Sequence, residues 1–284
     1  MLKTKFTKSL SFNKICIVGV GLIGGSIGLA IKSKKLTRFV IGVARREKTL
    51  REAFKRKAID VGTLDLKQGV EDADLVILAG PVSTIVSQLK VIQKFLKKGA
   101  LVIDVGSSKE LIERTAKKQL KKNIFVGCHP MAGLEKKGVL FAQADLFDGT
   151  SCFVTARNAK VEQFWKRVGC IPVPIKAHEH DAWVAQFSHL PHVLAFALFQ
   201  TLPKGPGSLK ATNPSLRDLA RISKSDPKLW LDILSSNKRQ MLGVIARFQK
   251  DLDFFEKAIR SNRASEVMKF IATANRVSQR TTVA

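Results

Sequence analysis

Lys14-Ile-Cys-Ile-Val-Gly-Val-Gly-Leu-Ile-Gly-Gly-Ser-Ile-Gly-Leu-Ala-Ile-Lys32 carries the reading of the whole chain. It opens with an apolar run of strand length, Ile15 to Val18. Glycines follow at 19, 21 and 24, the spacing G-x-G-x-x-G, and an apolar helical period then passes through Ile27, Ala30 and Ile31. Strand, glycine turn and helix in this order make a dinucleotide-binding unit. Gly19 permits the tight turn, Gly21 lets the backbone approach a pyrophosphate, and Gly24 lets the helix pack close to the strand. The helix start, with Leu22 and Ile23, turns free N–H groups towards the phosphates. A glycine-rich structural turn is the blander account, and the flanking patterns argue against it.

Phe39-Val-Ile-Gly-Val43 is a second buried strand, followed by Ala44, Arg45 and Arg46. An NAD site places Asp or Glu here for the ribose 2′-OH, whereas an arginine nearby accommodates a 2′-phosphate. No carboxylate comes before Glu47, and a guanidinium pairs with phosphate through a bidentate fork. The expected cofactor is therefore NADP, with NAD the alternative; the competing account makes both arginines ordinary surface charge. Asp74-Leu-Val-Ile-Leu-Ala79 is a third strand, broken by Gly80-Pro81 at the end where doubly wound sheets bind ligands. Ala79, Gly80 and Pro81 join the expected cofactor contacts.

Ala100-Leu-Val-Ile-Asp104 and Ile124-Phe-Val-Gly127 continue the alternation of strand and helix, which predicts an α/β, mostly parallel, doubly wound sheet of Rossmann type. Pro172 and Pro174 confine the last strand, residues 171–175, to an edge. From Ala177 the period becomes helical. Residues 182–202 read as one apolar-rich helix kinked at Pro191, and Asn213-Pro214 and Asp226-Pro227 read as N-caps followed by Pro at the first helical position. The expected organisation is a flexible basic arm over 1–13, a dinucleotide-binding domain over 14–176, and an all-α substrate-binding and dimerisation domain over 177–284.

Composition narrows the function classes. In 284 residues, 45% are hydrophobic and 25% charged, an ordinary balance for a globular protein. No uninterrupted apolar run approaches the roughly 20 residues that span a bilayer, and the basic start lacks the apolar segment of a signal peptide. The four cysteines form no C-x-x-C pair and read as buried thiols of a cytoplasmic protein. The net charge of +26 would suit a nucleic-acid binder. However, the lysines are spread along the chain, without an aromatic platform or a helix-turn-helix or zinc pattern. A general basic surface that attracts anionic ligands accounts for them, and neither a nucleic acid nor a membrane is expected as partner.

Several polar residues are placed for chemistry. His129 lies at the C-terminal end of a strand beside the nucleotide site, and an imidazole suits proton acceptance near neutrality. Ser188, His189 and His192 share a helix face and would line a polar pocket. With His178 and His180 nearby a zinc site is conceivable, but no closed-site spacing supports it and no metal is expected. Arg217, Asp218 and Arg221 fall within little more than one helical turn, either a solvated face or a cationic wall for a carboxylate.

These pieces together resemble the prephenate/arogenate dehydrogenase family over nearly the whole chain. The matching segments are Gly-Val-Gly-Leu-Ile-Gly-Gly-Ser (19–26), Asp-Val-Gly-Ser-Ser-Lys (104–109), Gly-Cys-His-Pro-Met-Ala-Gly (127–133) with Glu135 and Gly138, His-Asp (180–181), Ser-His-Leu-Pro-His (188–192) and Arg-Ile-Ser-Lys-Ser-Asp-Pro (221–227). The resemblance implies oxidative decarboxylation of prephenate to 4-hydroxyphenylpyruvate in tyrosine biosynthesis, with hydride transfer to a nicotinamide. It implies that His129 bonds the ring hydroxyl as general base and that Ser107 supports that contact near the nicotinamide. Arg221 would bind a substrate carboxylate, His192 would face the pyruvyl side chain, and Glu135 would help shape the pocket. Arg217 stands where some relatives place a lysine that reaches the pocket from a partner subunit, which goes with a homodimer formed through the helical domain.

Two departures from the family pattern stand out. The acidic residue after the second strand is absent, which moves the expectation from NAD to NADP. No fused chorismate mutase and no ACT domain fit the chain, so a monofunctional enzyme is expected. Histidine at 192 resembles the prephenate users, whereas NADP use is common among the arogenate users; prephenate is favoured because residue 192 would touch the substrate. Two rival readings remain. A β-hydroxyacid dehydrogenase-like enzyme would carry a catalytic Lys or acid on the long helix. A nucleic-acid-binding protein would show salt-dependent retention and no turnover.

Overall fold

The computed structural model describes residues 12–134, 136–202 and 214–281. Its sheet has eight strands in the order β3-β2-β1-β4-β5-β6-β7-β8. They are β1 (Phe12–Val18), β2 (Thr37–Val43), β3 (Val61–Thr63), β4 (Leu75–Leu78), β5 (Leu101–Asp104), β6 (Ile124–Pro130), β7 (Ser151–Val154) and β8 (Ile171–Pro174). Strands β1 to β6 pair parallel, β7 runs antiparallel to β6, and β8 is parallel to β7. The chain order reverses between β1 and β4, the switch point where such sheets bind ligands. The proline strand β8 does lie at an edge. Strand β1 begins at Phe12, which is buried, so residues 12 and 13 belong to the sheet and not to an arm; residues 1–11 lie outside the described part.

Helices α1 (Leu22–Ser33), α2 (Glu47–Lys55), α3 (Leu66–Val70), α4 (Val82–Ile92), α5 (Glu110–Gln119) and α6 (Ala159–Val168) cover the sheet. The central parallel strands β1 (over Ile15–Val18), β4 and β5 are buried on both faces, as βαβ architecture requires. Ile15 and Ile17 pack with Ile27, Ile31 and Trp165, while the alternate Cys16 and Val18 pack with Leu89 and Ile112. All four cysteines are buried and unpaired. Burial pushes the Cys16 thiol up to about 12, so it remains protonated and inert.

Each glycine of the opening motif has its own reason. Gly19 has φ +101°, and a Cβ there would meet the Ala79 carbonyl oxygen at 2.7 Å. A Cβ on Gly24 would stand 2.1 Å from the Gly19 oxygen. Gly24→Ala must therefore push α1 off β1. Overpacking of this kind costs about 1–3 kcal/mol, so a lowered melting temperature together with weakened dinucleotide binding is expected. Calorimetry and a dinucleotide titration check it; wild-type values for both would contradict this packing.

The remaining helices are α7 (Ala177–Val184), α8 (Leu190–Thr201), α9 (Pro214–Ser223), α10 (Pro227–Ser236), α11 (Lys238–Arg260) and α12 (Ala264–Thr281). The helix expected over 182–202 starts earlier, at Ala177, and continues to Thr201. Its irregularity is a π-helical turn between α7 and α8, Ala185–His189, and Pro191 opens α8 just behind it. Proline has no N–H and its ring crowds the carbonyl four residues back, so a widened turn accommodates it. The uninterrupted helical run Ala177–Thr201 is, by length and composition, long and apolar enough to cross a membrane. That revises the estimate from apolar runs alone, although its polar groups His180, Asp181 and His189 are used in the site described below. Asp226 caps α10 through Leu229 N at 2.7 Å, with Pro227 following; Asn213 lies outside the described residues.

The chain divides into two compact units, 1–237 and 238–284. Helices α7 to α10 thus belong with the sheet. Aspartates explain part of this. Asp181 of α7 caps α5, accepting from the N–H groups of Lys109 (2.7 Å) and Glu110 (3.0 Å). Asp232 of α10 accepts from Ser83 N, in the first turn of α4, at 3.2 Å. In the second unit α11 and α12 form a helical hairpin in which Phe254 and Phe255 pack on Phe270.

Candidate active site

Two cavities open at the carboxyl ends of the strands. The smaller, about 370 Å³, is lined by Gly21, Leu22, Ile23, Ala79, Gly80, Pro81 and Ser107. A Cβ on Gly21 would project into open space, so the turn offers an unobstructed backbone cradle at the start of α1. That suits a pyrophosphate. Gly19 and Gly24 act behind this surface by shaping the turn. Ala44 follows β2, and Arg46 is the N-cap of α2. Arg45 and Arg46 are exposed and do not line either cavity.

The larger cavity, about 890 Å³, holds Ser107, His129, Ser188, His189, His192, Arg221 and Trp230 on its walls. Ser107 belongs to both cavities, which places it at their junction. Arg217 is exposed on α9 and lines neither. Glu135 lies outside the described residues. Arg56 and Lys136 also line the larger cavity, and with Arg221 they make it cationic; the sequence reading missed both, because nothing distinguishes two cations among 49. Among the described residues no group of three potential metal ligands is assembled.

The imidazoles differ in environment. His129 is half-buried at the end of β6, and its Nδ1 lies 2.9 Å from His180 Nε2. Desolvation, with His180, Lys109 and His189 close by, holds its pKa well below the ordinary histidine value. His189 is lowered to about 4, chiefly by burial. His192 donates from Nδ1 to the Ser188 carbonyl at 2.8 Å and stacks on Trp230 with ring centroids 4.0 Å apart. Burial, aided by Arg221, lowers it too. Near neutrality the pocket is therefore walled by neutral imidazoles, each able to accept at one nitrogen.

Behind His129 lies a buried ion pair. Lys109 and Asp104, both with no exposed side-chain surface, form a short contact, and Lys109 Nζ also donates to the Cys128 carbonyl at 2.7 Å. Asp104 accepts from Gly106 N at 2.8 Å and from Cys128 N at 3.3 Å. Burial pushes its carboxyl up, against the pull of Lys109. The pair ties the ends of β5 and β6 together, and so fixes where Ser107 and His129 stand.

Comparison with known proteins agrees with this layout. Residues 27–178 match the model of the prephenate dehydrogenase nucleotide-binding domain, and residues 176–273 match that of the prephenate dehydrogenase dimerization domain. A prephenate dehydrogenase of Lactococcus lactis is 34% identical over 94% of this chain and 77% of its own. The chain belongs to the prephenate dehydrogenase family. A cyclohexadienyl dehydrogenase of Zymomonas mobilis is 30% identical over 88% of this chain and 89% of its own. The crystal structure of prephenate dehydrogenase from Aquifex aeolicus, in complex with hydroxyphenyl propionate and NAD+, superposes with a TM-score of 0.88 at 30% identity, covering 96% of this chain and 99% of that one.

As a prephenate dehydrogenase family member the chain is an oxidoreductase with a nicotinamide cofactor. Its residues fit that group at the glycine turn and along Ala79–Pro81. Trp230, Asn237, His180 and Asp181 are parts of the site that sequence reasoning did not assign. Only the His-Asp dipeptide at 180–181, one of the segments that resembled the family, signalled any of them.

Proposed function

We propose that this chain oxidatively decarboxylates prephenate to 4-hydroxyphenylpyruvate, with hydride transfer to NADP; arogenate is the alternative substrate. The observation that carries the reading is His129, a neutral imidazole at the wall of a cationic cavity that meets the glycine-turn cavity at Ser107. The bound dinucleotide supplies the hydride acceptor. His129 accepts the ring hydroxyl as general base, and Ser107 supports that hydroxyl. Arg221 takes a carboxylate through its guanidinium, and His192 faces the side chain, with Ser188 and His189 beside it. Arg217 reaches the pocket of a partner subunit in a homodimer formed through the helical domain. Release of CO2 aromatises the ring, so the protein's task is orientation and proton acceptance.

Arg45 and Arg46 support NADP through their place after β2 and their exposure to solvent, although the Aquifex relative holds NAD+. We place the enzyme in the cytoplasm, on its four unpaired cysteines. The test crosses prephenate and arogenate with NADP and NAD, following reduced-nicotinamide absorbance. Turnover of prephenate with NADP is expected to exceed the other three combinations. The double variant Arg45→Ala, Arg46→Ala should lose most of that NADP preference and leave NAD turnover unchanged. Better turnover of arogenate would reassign the substrate, and NAD preference in the unaltered protein would make both arginines surface charge.

A further inference from the structure

Behind the pocket wall a line of hydrogen bonds leads away from His129. His180 is fully buried, and its Nδ1 lies 2.8 Å from Asp181 Oδ1. Both Asp181 oxygens already accept backbone N–H groups at the start of α5. Asn237 Nδ2 donates to the Asp181 carbonyl at 2.8 Å, which fixes the backbone there. A carboxylate can only accept, so the proton of the contact with His180 lies on Nδ1. Burial, with Lys109 nearby, lowers the His180 pKa, so the ring is neutral and its Nε2 is an acceptor. That acceptor faces His129 Nδ1 at 2.9 Å, and His129 must donate to it. Phe153, edge-on to His180 with centroids 5.4 Å apart, closes off that ring.

We propose that Asp181 and His180 are positioning residues that hold His129 in the Nδ1–H tautomer, so that its Nε2 lone pair faces the cavity. The inference rests on the reading of His129 as the base. When Nε2 takes the hydroxyl proton, the O–H bond breaks and an N–H bond forms. The charge on the resulting imidazolium is then shared through His180 with the Asp181 carboxylate. The Nδ1 proton stays on His129 throughout, while the Nε2 proton returns to the phenolic oxygen of the product as the N–H bond breaks and an O–H bond forms. Asp181 is at the same time the cap of α5, so one carboxylate both docks the helical segment and sets the tautomer.

The decisive measurement is 15N NMR of the imidazoles in the intact protein without substrate. His129 Nδ1 should carry a proton near neutral pH and Nε2 should not. Asp181→Asn introduces an amide N–H that can point at His180 Nδ1 and so reverse both tautomers. It should lower kcat about 100-fold or more with little change in dinucleotide affinity. His180→Leu, which offers His129 no acceptor and leaves the cap of α5 in place, should lower kcat similarly and keep the melting temperature within a few degrees, so loss of folding is separable from loss of the relay. A proton on His129 Nε2 in the unaltered protein overturns the proposal. So does a folded His180→Leu variant with full kcat. If His129 itself proves dispensable for turnover, the reading of the base fails, while the tautomer measurement still decides whether the relay exists.

Discussion

Replacement of His129 by asparagine is expected to lower kcat about 10²- to 10⁴-fold, the range that general-base catalysis supplies, while dinucleotide affinity stays near that of the unaltered protein. Asparagine keeps a polar group close to the position of Nδ1 but offers no basic nitrogen to the cavity. The ring hydroxyl would then have to be oxidised without an acceptor for its proton. The glycine-turn cavity does not include His129, which is why nucleotide binding should survive. Stopped-flow turnover with fluorescence titration of the dinucleotide checks both halves; undiminished kcat would remove His129 from the chemistry.

The same residue sets a pH dependence. Desolvation lowers the His129 pKa well below the ordinary histidine value, so the base form persists through neutrality and kcat/KM should fall only on the acid side, below the range in which an ordinary histidine titrates. Stability runs in the same direction. His129, His180, His189 and His192 are all lowered in the folded protein, so the unfolded chain binds more protons as pH drops. The stability they contribute is present above their unfolded pKa of about 6.5 and is lost as pH falls below it.

Lys109→Met is expected to destabilise the protein by about 3–5 kcal/mol, because it leaves the buried Asp104 without its cation. At about 2–4 °C per kcal/mol for a unit of this size, the melting temperature should drop by roughly 10 °C. Lysine with no exposed side-chain surface is rare without a partner, and here the same ammonium also satisfies the Cys128 carbonyl. Adding Asp104→Asn should recover part of the loss. The amide removes the stranded charge while its oxygen still accepts from Gly106 N. Differential scanning calorimetry of the two single variants and the double variant gives the coupling. Additive losses would mean that the two side chains do not depend on each other. Turnover should fall as well, since Cys128 is the residue before His129.

Much of the architecture was readable in advance because it depends on local pattern. An apolar run, three spaced glycines and a helical period can be satisfied together by few backbones, and Gly19 and Gly24 occupy the positions that geometry requires. The prolines at 172 and 174 made β8 an edge strand through their missing N–H groups. His129 was legible from its place at a strand end. By contrast, Lys109 stood only as the last residue of the family-like segment 104–109, with no role of its own in a chain with 49 Lys and Arg; nothing local distinguishes a lysine that will be fully buried. The boundary near 176 marks a change of period, but compactness extends to residue 237, because Asp181 and Asp232 reach across to cap helices of the sheet.

The doubly wound sheet, the glycine turn for a dinucleotide, the helical C-terminal part and the family all follow from short-range spacing and side-chain type. Tertiary structure alone decided which polar groups work together. His129 and His180 are 51 positions apart, and Asp181 lies 72 from Lys109. Hydrogen bonds between such residues exist only after the carboxyl ends of the strands and the helical segment have docked, and their strength comes from the exclusion of water that docking produces.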